Sequence, residues 1–367
     1  MHTVTFFSIG NADCSLIELT GGQKLLFDYA NLRNPDDSKD LRVDLAAAVR
    51  DKLGEQASID VVTFTHADDD HVHGATDLFY FEHAKKYQGD GRIKIRELWV
   101  PAAIIVEKGL EDDARVIQAE AQYRLRNGKG IRVFSRPDRL KEWFAEENIG
   151  FADRKHLITD AGTLIPGFTK SSQGVEFFVH SPFAEHLDGE LVDRNDCSLV
   201  VQATFQSNDY ETRLILSADT TCEILSEMVS VTKRHKNEAR LVWDVFKLPH
   251  HCSYLSLSED KGKDVTKPMP EVQWLFEQGA QGGIILSTSY PIPANDDDTQ
   301  PPHRQAANYY KQVVDNINGE FKVTMEHPTR SDPAPLVITF DDSGATIKKS
   351  LVRGNLAVTS VRAPRAG

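Results

Sequence analysis

The chain opens on an apolar, β-prone run at residues 3 to 9 and then turns at Ile9-Gly10-Asn11-Ala12-Asp13. Two more short runs follow at 14 to 18 and 24 to 29. Short strands separated by turn residues predict an antiparallel meander. Between 40 and 54 the period changes, with Leu41, Leu45, Val49 and Leu53 recurring at helical spacing, which predicts an amphipathic helix. Residues 59 to 65, IDVVTFT, read as a buried-type strand. Its C-terminal end delivers residues 66 to 70 into a loop, where a rigid scaffold can present chemistry.

Further strands are expected at 93 to 100, 174 to 180, 198 to 205, 213 to 217, 241 to 248 and 283 to 287. Helices are expected at 111 to 126, at 137 to 147 with Pro137 near the start, from Asp219 to about 235, and at 303 to 317. Asp341-Asp342-Ser343-Gly344 between two apolar runs predicts a hairpin. Residues 75 to 170 are less regular and read as an insertion or an enlarged face. The last residues, 351 to 367, lack periodicity and read as a loose tail. Asp296-Asp297-Asp298 reads as a polar loop. Strands precede and follow helices without strict alternation. One α+β domain over 1 to 350 is expected, with two mixed sheets between helical layers.

Composition adds constraints. Hydrophobic residues make up 40% of the 367, enough for a large core, and no run approaches the ~18 apolar residues of a membrane helix. The N-terminus lacks the basic start and small-residue cleavage site of a signal peptide. Cys14, Cys197, Cys222 and Cys252 show no CxxC spacing. They read as free thiols of a reducing, cytoplasmic setting. The net charge of −13 excludes a generally basic surface for gripping duplex backbones. It leaves metal-dependent nuclease chemistry open, because bound cations supply their own positive charge.

The chemistry concentrates in Thr65-His66-Ala67-Asp68-Asp69-Asp70-His71-Val72-His73-Gly74. Imidazole and carboxylate groups alternating in one loop can converge on one or two divalent ions. Imidazole suits zinc, manganese and iron, while carboxylates favour harder ions. The bland alternative is a solvated acidic loop that happens to contain histidines.

His66-x-Asp68-x-Asp70-His71 resembles the HxHxDH signature of the metallo-β-lactamase superfamily, with Asp at its second position. That variant is similar to the hydrolase domain of the DNA-uptake channel family ComEC and its stand-alone relatives. Other segments agree in order: FFSIGNAD at 6 to 13, Leu26-Phe27-Asp28, NDCSLV at 195 to 200, LILSAD at 214 to 219, KLPHHCS at 247 to 253, and Pro302-His303. The resemblance spans residues 3 to about 345. It implies a metallo-β-lactamase αββα sandwich. Cys252 replaces a glycine after the paired histidines, and Ser287-Thr288-Ser289-Tyr290 replaces a glycine-containing turn.

The resemblance also implies roles. Asp70 and His71 would share one metal with His303, His66 and Asp68 would hold another, and Asp219 would bridge. The ions would be one or two Zn2+ or Mn2+. Asp70 is alternatively a contact for the attacking water. Asp196 is either an extra ligand or a turn carboxylate, and Asn195 and Ser198 orient it or touch a phosphate. Asp28, and similarly Asp13, would orient ligands. His250 or His251 would give a proton to the leaving group or bind metal. Lys247 would attract a phosphate or sit on the surface, and His73 lies outside the matched positions. The other histidines, His186 among them, get structural readings.

The function expected is a metal-dependent hydrolase, a phosphodiesterase or nuclease acting on single-stranded DNA or other oligonucleotides. Arg304, Arg124, Arg126 and Lys129 are candidate basic side chains for that site. The alternatives are a hydrolase of a non-nucleotide ester, lactone or amide, and an accessory subunit of a multi-protein system such as an anti-phage assembly. A nucleic-acid or nucleotide partner is expected and a membrane is not. A protein partner or homo-oligomer stays open.

Overall fold

The computed structural model describes residues 1–184, 194–296 and 299–349. The expected tail, His186, Asp297 and Asp298 lie outside the described residues.

Strands β1 (His2–Phe6), β2 (Ser15–Glu18), β3 (Lys24–Phe27), β4 (Ser58–Thr63), β5 (Phe79–Tyr80), β6 (Ile93–Pro101), β7 (Ile131–Phe134) and β8 (Ile158–Thr159) build most of the first sheet. The second sheet holds β9 (Val175–Ser181), β10 (Val200–Ser207), β11 (Tyr210–Leu216), β12 (Trp243–Lys247), β13 (Gly279–Ser287) and β14 (Glu320–Val323). After a small ribbon of β15 (Pro328–Thr329) and β16 (Asp332–Pro333), β17 (Leu336–Asp341) and β18 (Gly344–Ile347) return to the first sheet. That sheet runs β18-β17-β1-β2-β3-β4-β6-β7-β8, with β5 on β6. It is antiparallel up to β3 and parallel from β3 onward. The second sheet runs β14-β13-β12-β11-β10-β9 and is parallel from β11 to β14. Both sheets are therefore mixed, as expected.

Side-chain alternation fixes the layers. Leu25 and Phe27 of β3, Val61 of β4 and Trp99 of β6 pack against Phe177, Val201, Leu214 and Val245 of the second sheet. Their neighbours Leu26, Val62 and Leu98 point the other way, into a core shared with the helices Leu45–Leu53 and Asp112–Asn127. Ile215, Phe246 and Ile285 face the helices Cys222–Arg234, Pro270–Phe276 and Arg304–Asn316. The result is helices, sheet, sheet, helices: the αββα sandwich. Strands buried on both faces read as continuous apolar runs, which is why they stand out in the sequence.

Residues 75 to 170 do not form a separate body. Their β6, β7 and β8 widen the first sheet, and Leu98, Ile117, Val133 and Phe144 join the same core as the N-terminal helix. The helix expected at 40 to 54 begins only at Leu45, because the Asp44 side chain accepts the Ala47 N–H at 3.0 Å and caps it. Leu41 falls outside the helix and is exposed. Several short elements escape the periodicity reading, among them β7, with four residues including a buried arginine, β14, whose sequence is EFKV, and the seven-residue helix at Pro270. Each spans two periods at most, too few for a pattern to stand out. Among the described residues, no helix is long and apolar enough to cross a membrane.

Candidate metal centre

The functional loops follow the C-terminal ends of parallel strands. Asp28 follows β3, the 66–71 loop follows β4, Asp219 follows β11 and His250 follows β12. Parallel pairing of β3 with β4 and of β11 with β12 sets each pair at one edge of its sheet.

Thr65 is the first hinge of the site. Its N–H and its hydroxyl each donate to Asp28 at 2.7 Å. The hydroxyl oxygen then has lone pairs left to accept His66 Nδ1–H at 3.2 Å. Asp28 Oδ2 also accepts His71 Nδ1–H at 2.8 Å. Across the site, His251 Nδ1–H donates to the Thr288 carbonyl at 2.7 Å. In their neutral form all three imidazoles would thus keep the proton on Nδ1 and turn the Nε2 lone pair inward. This is how a ligating histidine is held.

The inward atoms converge. One donor atom from each of His66, Asp70, His71 and Asp219 lies within 4.8 Å of the others. His71 Nε2 is 3.2 Å from Asp219 Oδ1, and His251 Nε2 is 3.1 Å from Asp70 Oδ2 and 3.7 Å from Asp219 Oδ2. Asp219 therefore sits between two imidazoles. His66 Nε2, His71 Nε2 and Asp219 Oδ1 are buried and make no aligned hydrogen bond. Buried polar atoms are nearly always satisfied. Three orphans facing one another, two imidazole nitrogens and a carboxylate oxygen, fit a divalent cation of the zinc or manganese type.

Charge supports the same fit. Burial alone would lower the His71 pKa, but Asp219 and Asp28 outweigh it and raise it well above the ordinary value. His251 is raised against its burial by Asp219 and Asp70. Burial would raise Asp70, yet the bond from His251 and the charge of His71 hold it down at about 2. Asp219 is held well below the usual carboxylate range by His251 and His71. Burial keeps His66 low. The carboxylates thus retain protons on imidazoles where a cation would take their place.

The expected site residues divide in space. His66, Asp70, His71 and Asp219 meet, and His251 touches two of them. Asp28 orients His71. Asp13 Oδ1 accepts the Thr288 hydroxyl, and its Oδ2 pairs with Lys247. Lys247 is a correction: it is neither a phosphate contact nor a surface lysine, being 3% exposed and bonded to Asp13 and the Ser217 carbonyl. His303 is another. Its Nδ1 accepts the Tyr254 N–H at 3.3 Å and its Nε2 faces the Thr299 carbonyl at 3.1 Å, so both nitrogens serve the backbone and the ring stays out of the cluster. His251 stands beside Asp70 in its stead. Ser198 is fully buried and donates to the Arg194 carbonyl, a turn role instead of a substrate contact. Asn195 shares that turn, its carbonyl accepting the Ser198 N–H. Asp196 accepts the Thr221 hydroxyl at 3.3 Å and is not among the four converging residues.

Asp68 lies at the rim. Its Oδ2 is 3.6 Å from His66 Nε2, while Oδ1 pairs with Arg194 at 2.7 Å. Arg194 in turn reaches Glu107 at 2.7 Å. His73 turns outward onto Asp69 at 3.0 Å. Arg124 is buried on Glu120, Arg126 pairs with Glu147, and Arg304 pairs with Asp296, so each of these cations is engaged by an acid of its own. Sequence reasoning missed Thr65, Thr288, Glu107 and Arg194. Of these only Thr65, adjoining the motif, carried a signal.

His250, His251 and Cys252 all have positive φ, at 48°, 51° and 67°. Non-glycine residues rarely enter this region, and strain of this kind gathers at functional sites. It also explains why a glycine suits position 252. The His250 ring centroid stands 6.5 Å from that of His251.

No protein-family model and no curated protein matches the chain. Among solved structures it is similar to a protein described as a metal-dependent hydrolase from Parabacteroides distasonis ATCC 8503, at 7% identity and TM-score 0.34, covering 87% of this chain and 91% of that one. It is also similar to the class B3 di-zinc metallo-β-lactamase LRA-12 from an Alaskan soil metagenome, at 11% identity and TM-score 0.34, covering 86% and 91%. A third is yeast PDE1, at 10% identity and TM-score 0.43, covering 88% and 96%. Likeness at this level is silent on what this chain acts upon.

Proposed function

We propose that this chain is a metal-dependent hydrolase and, more narrowly, a phosphodiesterase that cuts single-stranded DNA or other oligonucleotides. The observation that carries the first part is the convergence of His66, Asp70, His71 and Asp219 with three of their buried polar atoms left unsatisfied. Bound there, one or two Zn2+ or Mn2+ ions would supply Lewis acidity toward a phosphoryl oxygen and make water a nucleophile near neutral pH.

The chain's own residues divide the remaining work. His66, His71 and Asp219 are buried and would hold the ion. Asp70, whose side chain is 32% exposed, is the member of the group open to solvent. Held on one oxygen by His251, it can orient the attacking water with the other. The paired histidines of the KLPHHCS segment supply the reading that His250 gives a proton to the leaving oxygen. The narrower part rests on the ordered ComEC-like segments, and the net charge of −13 favours short or single strands over long duplexes.

The test is cleavage of labelled single-stranded DNA with manganese or zinc, comparing wild type with Asp70→Ala/His71→Ala. Cleavage by wild type alone is the expected result. Metal uptake without cleavage of any DNA, RNA or cyclic nucleotide would remove the phosphodiesterase reading and leave a hydrolase of another bond.

A further inference from the structure

We infer that Tyr290 is a stacking platform for a nucleobase of the substrate, carried on the loop whose Thr288 carbonyl orients His251. The inference rests on the phosphodiesterase reading above and adds what the site grips besides phosphate.

Two loops cross at the metal centre and carry this ring. The Thr288 carbonyl orients His251, and the Thr288 hydroxyl bonds Asp13. Asp13 N–H in turn donates to the Asp70 carbonyl at 3.0 Å. Tyr290 lies two residues beyond Thr288, at most about 7 Å of extended chain. Gly10 lies three residues before Asp13. The loops therefore meet twice, once at the ligands and once at Tyr290.

The second meeting is tightly built. A Cβ on Gly10 would stand 2.7 Å from Tyr290 Cζ and 3.0 Å from Cε1, so only glycine lets the backbone seat the ring. Gly10 also has φ +79°, which other residues resist. Asn11 Oδ1 accepts the Tyr290 N–H at 3.0 Å, and Asn11 Nδ2 donates to the Pro301 carbonyl at 2.5 Å. Ser289 Oγ–H donates to the Tyr290 carbonyl at 3.0 Å. Backbone and ring are thus both fixed, yet the residue is 41% exposed. Leaving a large ring in water forgoes the stabilisation of burying it. A tyrosine held in place by its backbone and by Gly10 while much of its surface stays in solvent, on a loop tied to the proposed phosphodiester-cleaving centre, suits base stacking. Each base has a π-face, so such a platform tolerates sequence. It also grips a strand without the basic surface that this acidic chain lacks.

The experiment compares a single-stranded oligothymidylate with an abasic strand of equal length. Cleavage is read as kcat/KM with manganese, and binding by fluorescence anisotropy in chelator. For Tyr290→Ala the preference for the base-bearing strand should fall about 5- to 150-fold, the range of one lost stacking contact. Tyr290→Phe and Tyr290→Trp should keep that preference, because stacking needs the ring and not the hydroxyl. Equal preference in wild type and Tyr290→Ala, or a loss in Tyr290→Phe as large as in Tyr290→Ala, overturns the inference and leaves the phosphodiesterase reading intact. Cleavage of neither strand by metal-loaded wild type overturns both.

Discussion

His71 Nδ1 lies 2.8 Å from Asp28 Oδ2, and the same carboxylate accepts both the N–H and the hydroxyl of Thr65. One buried side chain therefore sets the angle of a ligand and the start of the loop that carries it. Asp28 has φ +57°, a conformation asparagine also tolerates. Asp28→Asn should fold, but its amide cannot both accept His71 Nδ1–H and keep the Thr65 bonds. Metal affinity should fall about 10- to 100-fold, measured by competition with a chromogenic chelator. Wild-type affinity in this variant would show that His71 is oriented by something else.

His251 and His303 make a paired test. His251 Nε2 faces Asp70 and Asp219, whereas both His303 nitrogens face the backbone. His251→Ala should lose metal or activity by at least about tenfold, as for a ligand or its immediate support. His303→Ala should keep its metal content and show a shifted melting temperature instead. Elemental analysis of the two purified variants decides, and loss of metal in His303→Ala would restore the sequence-based assignment.

The metal-free site should respond to pH in a defined sense. His71 and His251 are raised, so the stability they give is full below the unfolded imidazole value near ~6.5 and is lost as pH rises through their folded values. Asp70, held at about 2, gives stability that is present above the unfolded carboxylate value and lost as pH falls toward about 2. A cation displaces the imidazole protons. The gap in melting temperature between metal-loaded and chelator-treated protein should therefore widen from about pH 6 to about pH 8. A gap that stays constant would mean the ions bind elsewhere.

Cys252 is fully buried at φ +67°. Cys252→Ala keeps the backbone cost, roughly 1 to 2 kcal/mol for an L-residue in this region, while Cys252→Gly relieves it. The glycine variant should be at least as stable as the alanine variant although it removes one more carbon. Urea melts of both compare them directly, and a clearly weaker glycine variant would contradict the strain.

His180 is buried, neither ring nitrogen makes a well-aligned hydrogen bond although the Arg240 backbone lies close to it, and burial lowers its pKa to about 3. Its neutral form is the folded one, so it gives stability present above the unfolded imidazole value and lost as pH falls toward about 3. His180→Leu should stabilise the fold by about 1 to 3 kcal/mol by removing an unsatisfied polar group, and should flatten the acid side of the stability profile. Destabilisation by His180→Leu would point to a partner for that ring in solution.

Legibility followed the range of the forces involved. Strands buried on both faces show as apolar runs, so β4, β11 and β12 could be read from local pattern, as could the helix at 112–127 and the Asp341–Gly344 hairpin. His66, Asp70 and His71 could be picked out because they share one loop. What the sequence could not carry is which distant side chains share one point in space. Lys247 and Asp13 are 234 positions apart, and the choice of His251 over His303 depends on a backbone carbonyl at Thr288. Residue types and local periodicity determined the layers and the candidate ligands. Only the packing of the two sheets decided which nitrogen faces which oxygen, because hydrogen bonds act within about 3 Å and that separation is fixed by the whole fold.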